Sequence, residues 1–138
     1  MGLRKHAKID LLKRVPLFSA CSKKELEQLA QAADEIDLDI GTRLTRESDT
    51  GREFVIIVEG EAEVKRRGRR IRQLSAGDFV GEIALLTGSP RTATVTTTTP
   101  VRALVLTDCA FRRLLADSPA IAPKLLAALA ERIAPSAL

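Results

Sequence analysis

The chain has 138 residues, 45% hydrophobic and 29% charged, with a formal net charge of +4, a balance typical of one globular domain with a core. No apolar run reaches the roughly 18 residues of a membrane span, and the opening MGLRKHAKID lacks the apolar segment of a signal peptide. One histidine, His6, and two distant cysteines, Cys21 and Cys109, argue against a zinc site and against a histidine base. We therefore expect a cytoplasmic chain with reduced cysteines, no metal and no membrane span.

The first part of the chain is predicted to be helical. Ser22 and Glu25 have the spacing of a capping box, and apolar residues then recur at helical intervals. This pattern predicts a short amphipathic helix over about Lys23–Ala33. Before it, Val15–Phe18 is a short apolar segment that we expect to be buried, and Ile9–Arg14 is expected to be another helical turn.

From Asp34 the apolar residues alternate with a period of two, which indicates β-strands. The predicted strand segments are DEIDLDIG, TRLTRE, REFVIIVEG, EAEVKRR, RRIRQLSAGD, TATVTTTT and VRALVLT. The segment REFVIIVEG is apolar enough to be buried on both faces, and SDTG before it has the composition of a turn. Seven or eight short strands with frequent turns favour a small β-barrel or jelly roll over a βαβ sheet.

The excess of positive charge is concentrated in one segment, KRRGRRIR, which spans 65–72 and has six basic residues. Gly68 at its centre predicts the tip of a β-hairpin. The chain has no tryptophan and no tyrosine, so side chains on which bases could stack are scarce. We therefore interpret the segment as a solvated hairpin, and nucleic acid is not an expected partner.

The last part is again predicted to be helical. Thr107 is a candidate N-cap for one helix, and Ser118 and Pro119 fit the N-cap and first position of the last helix. The apolar residues of that helix form one stripe: Leu125, Leu126, Leu129 and Ile133. The prediction is thus one domain over 1–138, with a helical part at about 9–33, a β-barrel at about 34–106 and C-terminal helices at about 107–133.

Between the predicted strands, the run FVGEIALLTGSPRTATV has one acid, Glu82, and one base, Arg91, among uncharged residues. GEIALL is long enough for one helical turn, whose first N–H groups lack intrahelical partners and can bind an anion. A guanidinium adds charge-assisted bonds to a phosphate, whereas a carboxylate accepts from a sugar hydroxyl. Amides, Arg91 and Glu82 together therefore predict a ribose phosphate site, although an internal ion pair that fixes a loop is the alternative.

The run GEIALLTGSPRTATV resembles the phosphate-binding cassette of cyclic nucleotide-binding domains, which occur in kinase regulatory subunits, gated channels and bacterial catabolite activators. The segments EFVIIVEGEAEV, LSAGDFVGE and VPLFSACSKKELEQLA are also similar to that family, so the resemblance covers roughly Val15–Ile133. It implies an eight-stranded jelly-roll barrel, a double-stranded β-helix, with an N-terminal helix and C-terminal helices. It also implies cyclic AMP or cyclic GMP as the ligand.

The resemblance assigns roles to individual residues. Glu82 would hold the ribose 2′-hydroxyl beside the Gly81 backbone, and Arg91 would pair with the cyclic phosphate. The whole implied ligand-binding set is Gly81, Glu82, Ile83, Ala84, Arg91, Thr92 and Ala93. Family members often cap the purine with an aromatic residue or an arginine, but the last helix has no aromatic. Leu125, Leu126, Leu129 and Arg132 are therefore the candidates for a lid over the base.

These observations lead to two hypotheses for function. The first is a cyclic nucleotide sensor, not an enzyme, that relays binding by movement of its C-terminal helix, with a protein partner or a homodimer through that helix. The alternative is an interaction module of the same fold that binds no nucleotide and acts through the basic hairpin or the last helix. The sequence does not distinguish cyclic AMP from cyclic GMP.

Overall fold

A computed structural model describes residues 4–48, 50–51, 53–81, 91 and 93–137, although not the side chains of 5, 129 and 132–137. The chain divides into two compact units. One is helical and comprises Met1–Ala32 and Cys109–Leu138, and the other is the β unit Ala33–Asp108. The single domain over 1–138 stays a prediction.

The β unit has eight strands within the described residues. They are β1 (Asp34–Leu38), β2 (Arg43–Thr45), β3 (Glu53–Glu59), β4 (Ala62–Arg66), β5 (Arg69–Leu74), β6 (Phe79–Val80), β7 (Thr94–Thr97) and β8 (Val101–Thr107). They form two antiparallel four-stranded sheets, with strand orders β1-β8-β3-β6 and β2-β7-β4-β5. This arrangement confirms the predicted jelly-roll class.

The core of the β unit is built from alternate residues of its strands. On β3, Val55 and Ile57 belong to an apolar cluster that also includes Val64 of β4 and Val105 of β8. The intervening residues of β3 are buried too, as the continuous apolar run predicted. Gly60, which follows β3, has a φ of +98° and lies so close to the Pro100 carbonyl that a Cβ would overlap it.

The basic segment forms the hairpin between β4 and β5, as predicted. Arg67 and Gly68 at its tip have φ values of 54° and 77°, which fits the two positive φ angles of a type I′ turn. The N–H of Arg67 donates to Oε1 of Glu47 at 2.9 Å. The tip is therefore held next to the segment that follows β2.

The helical unit has helices α1 (Lys5–Lys13), α2 (Lys23–Ala32), α3 (Asp108–Asp117) and α4 (Ile121–Ala137), with a 3₁₀ turn at Pro16–Phe18. The capping box is confirmed: Ser22 N–H donates to Glu25 Oε1 at 2.7 Å, and Glu25 N–H donates to Ser22 Oγ at 3.2 Å. The ring centroids of Phe18 and Phe111 are 6.5 Å apart in its core. No helix in the described ranges has both the length and the apolarity to cross a membrane.

The last helix begins later than the sequence predicted. Ser118 and Pro119 precede it in a turn, in which the Ile121 N–H donates to the Ser118 carbonyl at 3.1 Å. The Ser118 hydroxyl donates instead to Gln28 Oε1 at 2.8 Å. The assignment of Ser118 as the N-cap was therefore wrong, because its side chain bonds to α2.

Candidate functional site

The described residues of the predicted cassette are Gly81, which follows β6, and Arg91 and Ala93, which precede β7. The other predicted ligand-binding residues, Glu82, Ile83, Ala84 and Thr92, lie outside the described residues. Arg91 is therefore the charged residue of the predicted set whose surroundings the structure describes.

Glycines on two sides surround the guanidinium of Arg91. A Cβ at Gly51 would overlap its Nε, and a Cβ at Gly81 would overlap its Nη1. Gly81 also has a φ of +89°, a conformation that side chains other than glycine rarely adopt. A larger residue at Gly51 would displace the guanidinium, and one at Gly81 would also overlap the Glu53 carbonyl oxygen.

Backbone groups also fix Arg91. Its Nη2 donates to the carbonyl oxygen of Glu53, the first residue of β3. Its own carbonyl accepts from the Ser48 N–H at 2.9 Å. The Arg91 side chain is thus bonded to the start of β3, and its main chain to the segment between β2 and β3.

The electrostatic setting of Arg91 is unusual for an arginine. Partial burial lowers the pKa of its guanidinium, and the charge of Glu53 opposes that shift. Its Nε is buried and has no hydrogen-bond partner among the described residues. Because an arginine stays charged at any accessible pH, Arg91 is a partly desolvated cation with an unused donor. Such a group gains from an anionic ligand.

Arg91 lines a cavity of about 400 Å³ in the β unit. Its described lining residues are Arg91 and residues of β2, the segment after it and the start of β3: Arg43, Leu44, Thr45, Arg46, Thr50, Gly51 and Glu53. Three of these residues are arginines and one is acidic. The described lining residues thus have a net positive charge, and the cavity's volume is within the usual range of small-molecule sites.

Contacts between β2 and β7 hold this wall in position. Thr45 Oγ1 donates to the carbonyl of Ala93 at 3.0 Å, and the Glu47 N–H donates to Thr94 Oγ1 at 2.9 Å. Ala93 also packs against the apolar core, so its place is explained by packing. The role of Ala93 in ligand binding stays a prediction.

Of the eight described residues that line this cavity, sequence reasoning predicted only Arg91. The segment SDTG was interpreted only as a turn, and nothing local indicates that Gly51 meets a side chain 40 positions later. Among the candidate lid residues, Leu125 is buried and Leu126 is 67% exposed, while the side chains of Leu129 and Arg132 lie outside the description. The lid therefore stays a prediction. Across the described ranges, no three histidines, cysteines or acids are grouped so that they could hold a metal ion.

Comparison with curated proteins finds cyclic AMP-dependent protein kinase regulatory subunits. That of Eremothecium gossypii is 40% identical over 107 residues, which are 77% of this chain and 23% of the relative. That of Yarrowia lipolytica is 38% identical over 106 residues, which are 75% of this chain and 28% of the relative. The chain thus spans about a quarter of the length of these relatives.

Solved structures agree with the fold. The N-terminal domain of a transcriptional regulator from Streptomyces coelicolor is 30% identical, with a TM-score of 0.85 over 92% of this chain and 94% of that one. A cyclic nucleotide-binding-like protein from Brucella abortus is 27% identical, with a TM-score of 0.74 over 80% of this chain and 98% of that one.

The family model for the cyclic nucleotide-binding domain matches residues 35–118. The matched family is defined by ligand binding, and the curated relatives are regulatory subunits. Together these findings confirm the prediction that the domain is not an enzyme. The chain belongs to the cyclic nucleotide-binding domain family.

Proposed function

We propose that this chain is a sensor that binds cyclic AMP or cyclic GMP through the segment that contains Gly81 and Arg91. The observation that carries the proposal is the state of Arg91, a partly desolvated guanidinium with a buried, unpartnered Nε, held between Gly51 and Gly81. A cyclic phosphate supplies the negative charge and the acceptor oxygens that this group lacks. The curated relatives are named for dependence on cyclic AMP, which favours the adenine nucleotide.

In the proposed complex, Arg91 pairs with the cyclic phosphate. Glu82 accepts from the ribose 2′-hydroxyl, while the N–H groups of Ile83, Ala84 and Thr92 donate to phosphate oxygens. Charge determines which residue binds which part of the ligand. A carboxylate repels a phosphate, so Glu82 is assigned to the sugar hydroxyl.

The proposed output is a shift in population between two conformations, relayed by the C-terminal helix. A homodimer or a protein partner, such as a kinase by analogy with the relatives, would read that shift. The coupling cannot exceed the difference in nucleotide affinity between the two conformations. The cytoplasmic location belongs to the same proposal.

Titration calorimetry and thermal unfolding with each nucleotide test the proposal. At a ligand concentration one hundred times the Kd, bound nucleotide should stabilise the wild type by about 2.7 kcal/mol. Arg91→Lys keeps the charge but loses the fork that grips two phosphate oxygens, so it should bind at least about tenfold more weakly. Arg14→Lys, at an exposed site in the helical unit, is the matched control and should bind as the wild type does.

Equal responses of wild type and Arg91→Lys would contradict the role of Arg91. Absence of binding for both nucleotides in a folded wild type would instead favour the interaction module that acts through the basic hairpin or the last helix.

A further inference from the structure

The hairpin of β4 and β5 has the whole charge excess of the chain. Six basic residues and one acid, Glu63, lie between Ala62 and Leu74, which gives this segment a net charge of +5. The full sequence has +4, so all its other residues together have −1. The net positive charge of the protein is therefore confined to one hairpin.

The outer part of this hairpin is exposed on both faces. Val64 and Leu74 are buried in the apolar core, whereas every residue in 65–73 is exposed. A strand that lies on a core buries alternate residues. Because no residue in 65–73 is buried, this part of the ribbon extends away from the core of the β unit, and its side chains are accessible from both sides.

The backbone of the tip is fixed. Arg67 and Gly68 form the turn, and the Arg67 N–H donates to Glu47 Oε1 at 2.9 Å. Strand pairing continues up to Arg66 and Arg69, which flank the turn. Because each strand residue adds about 3.4 Å, the six basic residues begin within about 10 Å along the ribbon, which is one Debye length at about 0.1 M salt. They therefore act on an anionic surface as one multivalent group.

The charge at the tip is not neutralised by the acids around it. Glu47 brings one negative charge to the turn, against four arginines within two residues of Gly68. In the part of the chain that the structure describes, the side chains of Arg67 and Arg69 have no ion pair or hydrogen bond. The positive charge that an anionic partner meets first is therefore available to it.

An exposed aliphatic side chain, Ile71, lies among these cations and is 48% exposed. In the register of the two strands, Val64 is opposite Arg72 and Lys65 is opposite Arg70. Ile71 is therefore an extra residue of β5, and such a bulge interrupts the ladder of hydrogen bonds. Among the described strands β5 is also at the edge of its sheet, and a charged, bulged edge disfavours pairing with a further strand. The hairpin thus suits a partner that needs no β-ladder.

The composition of the hairpin favours a lipid surface over a nucleic acid. Five of its six basic residues are arginines, whose planar forks bind phosphate oxygens in pairs. Both partners offer phosphates, but the chain has no tryptophan or tyrosine on which bases could stack. A bilayer also offers Ile71 an apolar layer directly below the charged headgroups.

We propose that the β4–β5 hairpin docks the chain on an anionic membrane surface. The arginines bind lipid phosphates, and Ile71 inserts between the headgroups. Binding is reversible, because one cluster of cations and one aliphatic side chain are two weak signals. The inference is independent of the proposed function, since the nucleotide is assigned to Arg91.

Flotation with vesicles tests the inference. Vesicles of phosphatidylcholine with about a third phosphatidylserine are compared with vesicles of phosphatidylcholine alone, in about 0.1 M salt. The variant Arg67→Asn/Arg69→Gln removes two cations, and asparagine suits the positive φ at position 67. Its control, Arg14→Gln/Arg113→Gln, removes the same charge from exposed positions of the helical unit.

A second pair of variants tests the aliphatic contact. Ile71→Ser removes the exposed side chain of the hairpin, and Ile40→Ser removes one that is 64% exposed elsewhere in the β unit. A short DNA duplex of mixed sequence, titrated at the same ionic strength, is the second anionic probe. Unfolding curves verify that each variant is folded.

We expect the wild type to bind the anionic vesicles at least about tenfold more tightly than the neutral ones. Arg67→Asn/Arg69→Gln should lose at least about tenfold on anionic vesicles, and its control less than about threefold. Ile71→Ser should lose at least about threefold on these vesicles and nothing on the duplex, whereas Ile40→Ser should bind both as the wild type does.

Three outcomes would overturn the inference. If the wild type does not prefer anionic vesicles, the hairpin is no membrane element. If the hairpin variant and its control lose the same factor, only the net charge of the protein matters. If Ile71→Ser binds vesicles as the wild type does, while the loss of arginines weakens vesicle and duplex binding alike, the hairpin is a general polyanion site. None of these results bears on the proposed function, because neither probe contains a cyclic nucleotide.

Discussion

Lys124 of α4 donates a charge-assisted hydrogen bond from Nζ to Oε1 of Glu25 on α2. The same oxygen accepts from the Ser22 N–H at 2.7 Å, so the carboxylate that caps α2 also connects that helix to the last one. Glu25 is only 8% exposed, whereas a third of the Lys124 side chain is exposed. The pair therefore lies between an exposed ion pair, which contributes little, and a buried one, which is costly to break.

Replacement of Lys124 should destabilise the helical unit. Lys124→Met leaves a nearly buried carboxylate without its cation, and we expect a loss of about 1–2 kcal/mol of unfolding free energy. Urea denaturation measures the effect. Lys23→Met, which removes the same charge at an exposed position of α2, should change the stability by less than about 0.5 kcal/mol. Equal effects of the two substitutions would show that the pair contributes nothing specific.

The same pair predicts a pH dependence. The hydrogen bond from Lys124 lowers the pKa of Glu25 below its usual 4.5, and the Ser22 N–H adds to the shift. A carboxyl whose pKa is lower in the folded state contributes stability above its unfolded pKa and loses it as the pH falls through the folded value. Wild type and Lys124→Met should therefore differ most at neutral pH and converge below pH 4.5. A difference that stays constant down to acid pH would contradict this account.

The two cysteines should react at different rates. Cys21 is buried, and burial raises the pKa of its thiol, with the charge of Glu25 acting in the same direction. Cys109 is exposed. Because only the thiolate reacts, iodoacetamide should modify Cys109 first in the folded protein and reach Cys21 after unfolding. Peptide mapping by mass spectrometry measures both rates, and Cys109→Ser should leave the native protein almost unreactive. Simultaneous modification would refute the difference.

Local signals sufficed for most of the fold. Alternation on β1, the continuous apolar run of β3, Gly68 at the hairpin tip and the capping box at Ser22 all depend on neighbours within a few residues. A sequence pattern therefore records them. The start of α4 is different, because the Ser118 hydroxyl bonds to Gln28, which lies 90 residues away. No local pattern contains that partner.

The candidate site also has a part that the sequence predicts and a part that it does not. Arg91 could be predicted, since its spacing from Glu82 is local and resembles a known cassette. The surroundings of its guanidinium could not be predicted, because Gly51 is 40 residues away in sequence and is close to Arg91 only in the folded structure. Arg43 of β2 and Arg46 just after it could not be predicted either, since an exposed arginine gives no local sign of the cavity that it lines.

The contact between Gly51 and Arg91 gives the sharpest test of the site. The φ of Gly51 lies outside the range that favours glycine, so Gly51→Ala adds no backbone strain, yet its Cβ would overlap the guanidinium. We expect at least about tenfold weaker binding of cyclic AMP because the guanidinium must move, with little loss of stability because the group that moves is the end of a flexible side chain. Gly41→Ala is the control: Gly41 has a φ of +84° and nothing within 4 Å, so the substitution strains the backbone but leaves Arg91 in position. It should cost about 1–2 kcal/mol of stability and keep its affinity for the nucleotide. If Gly51→Ala binds cyclic AMP as tightly as Gly41→Ala does, the position of the Arg91 guanidinium between the two glycines is not what recognises the phosphate.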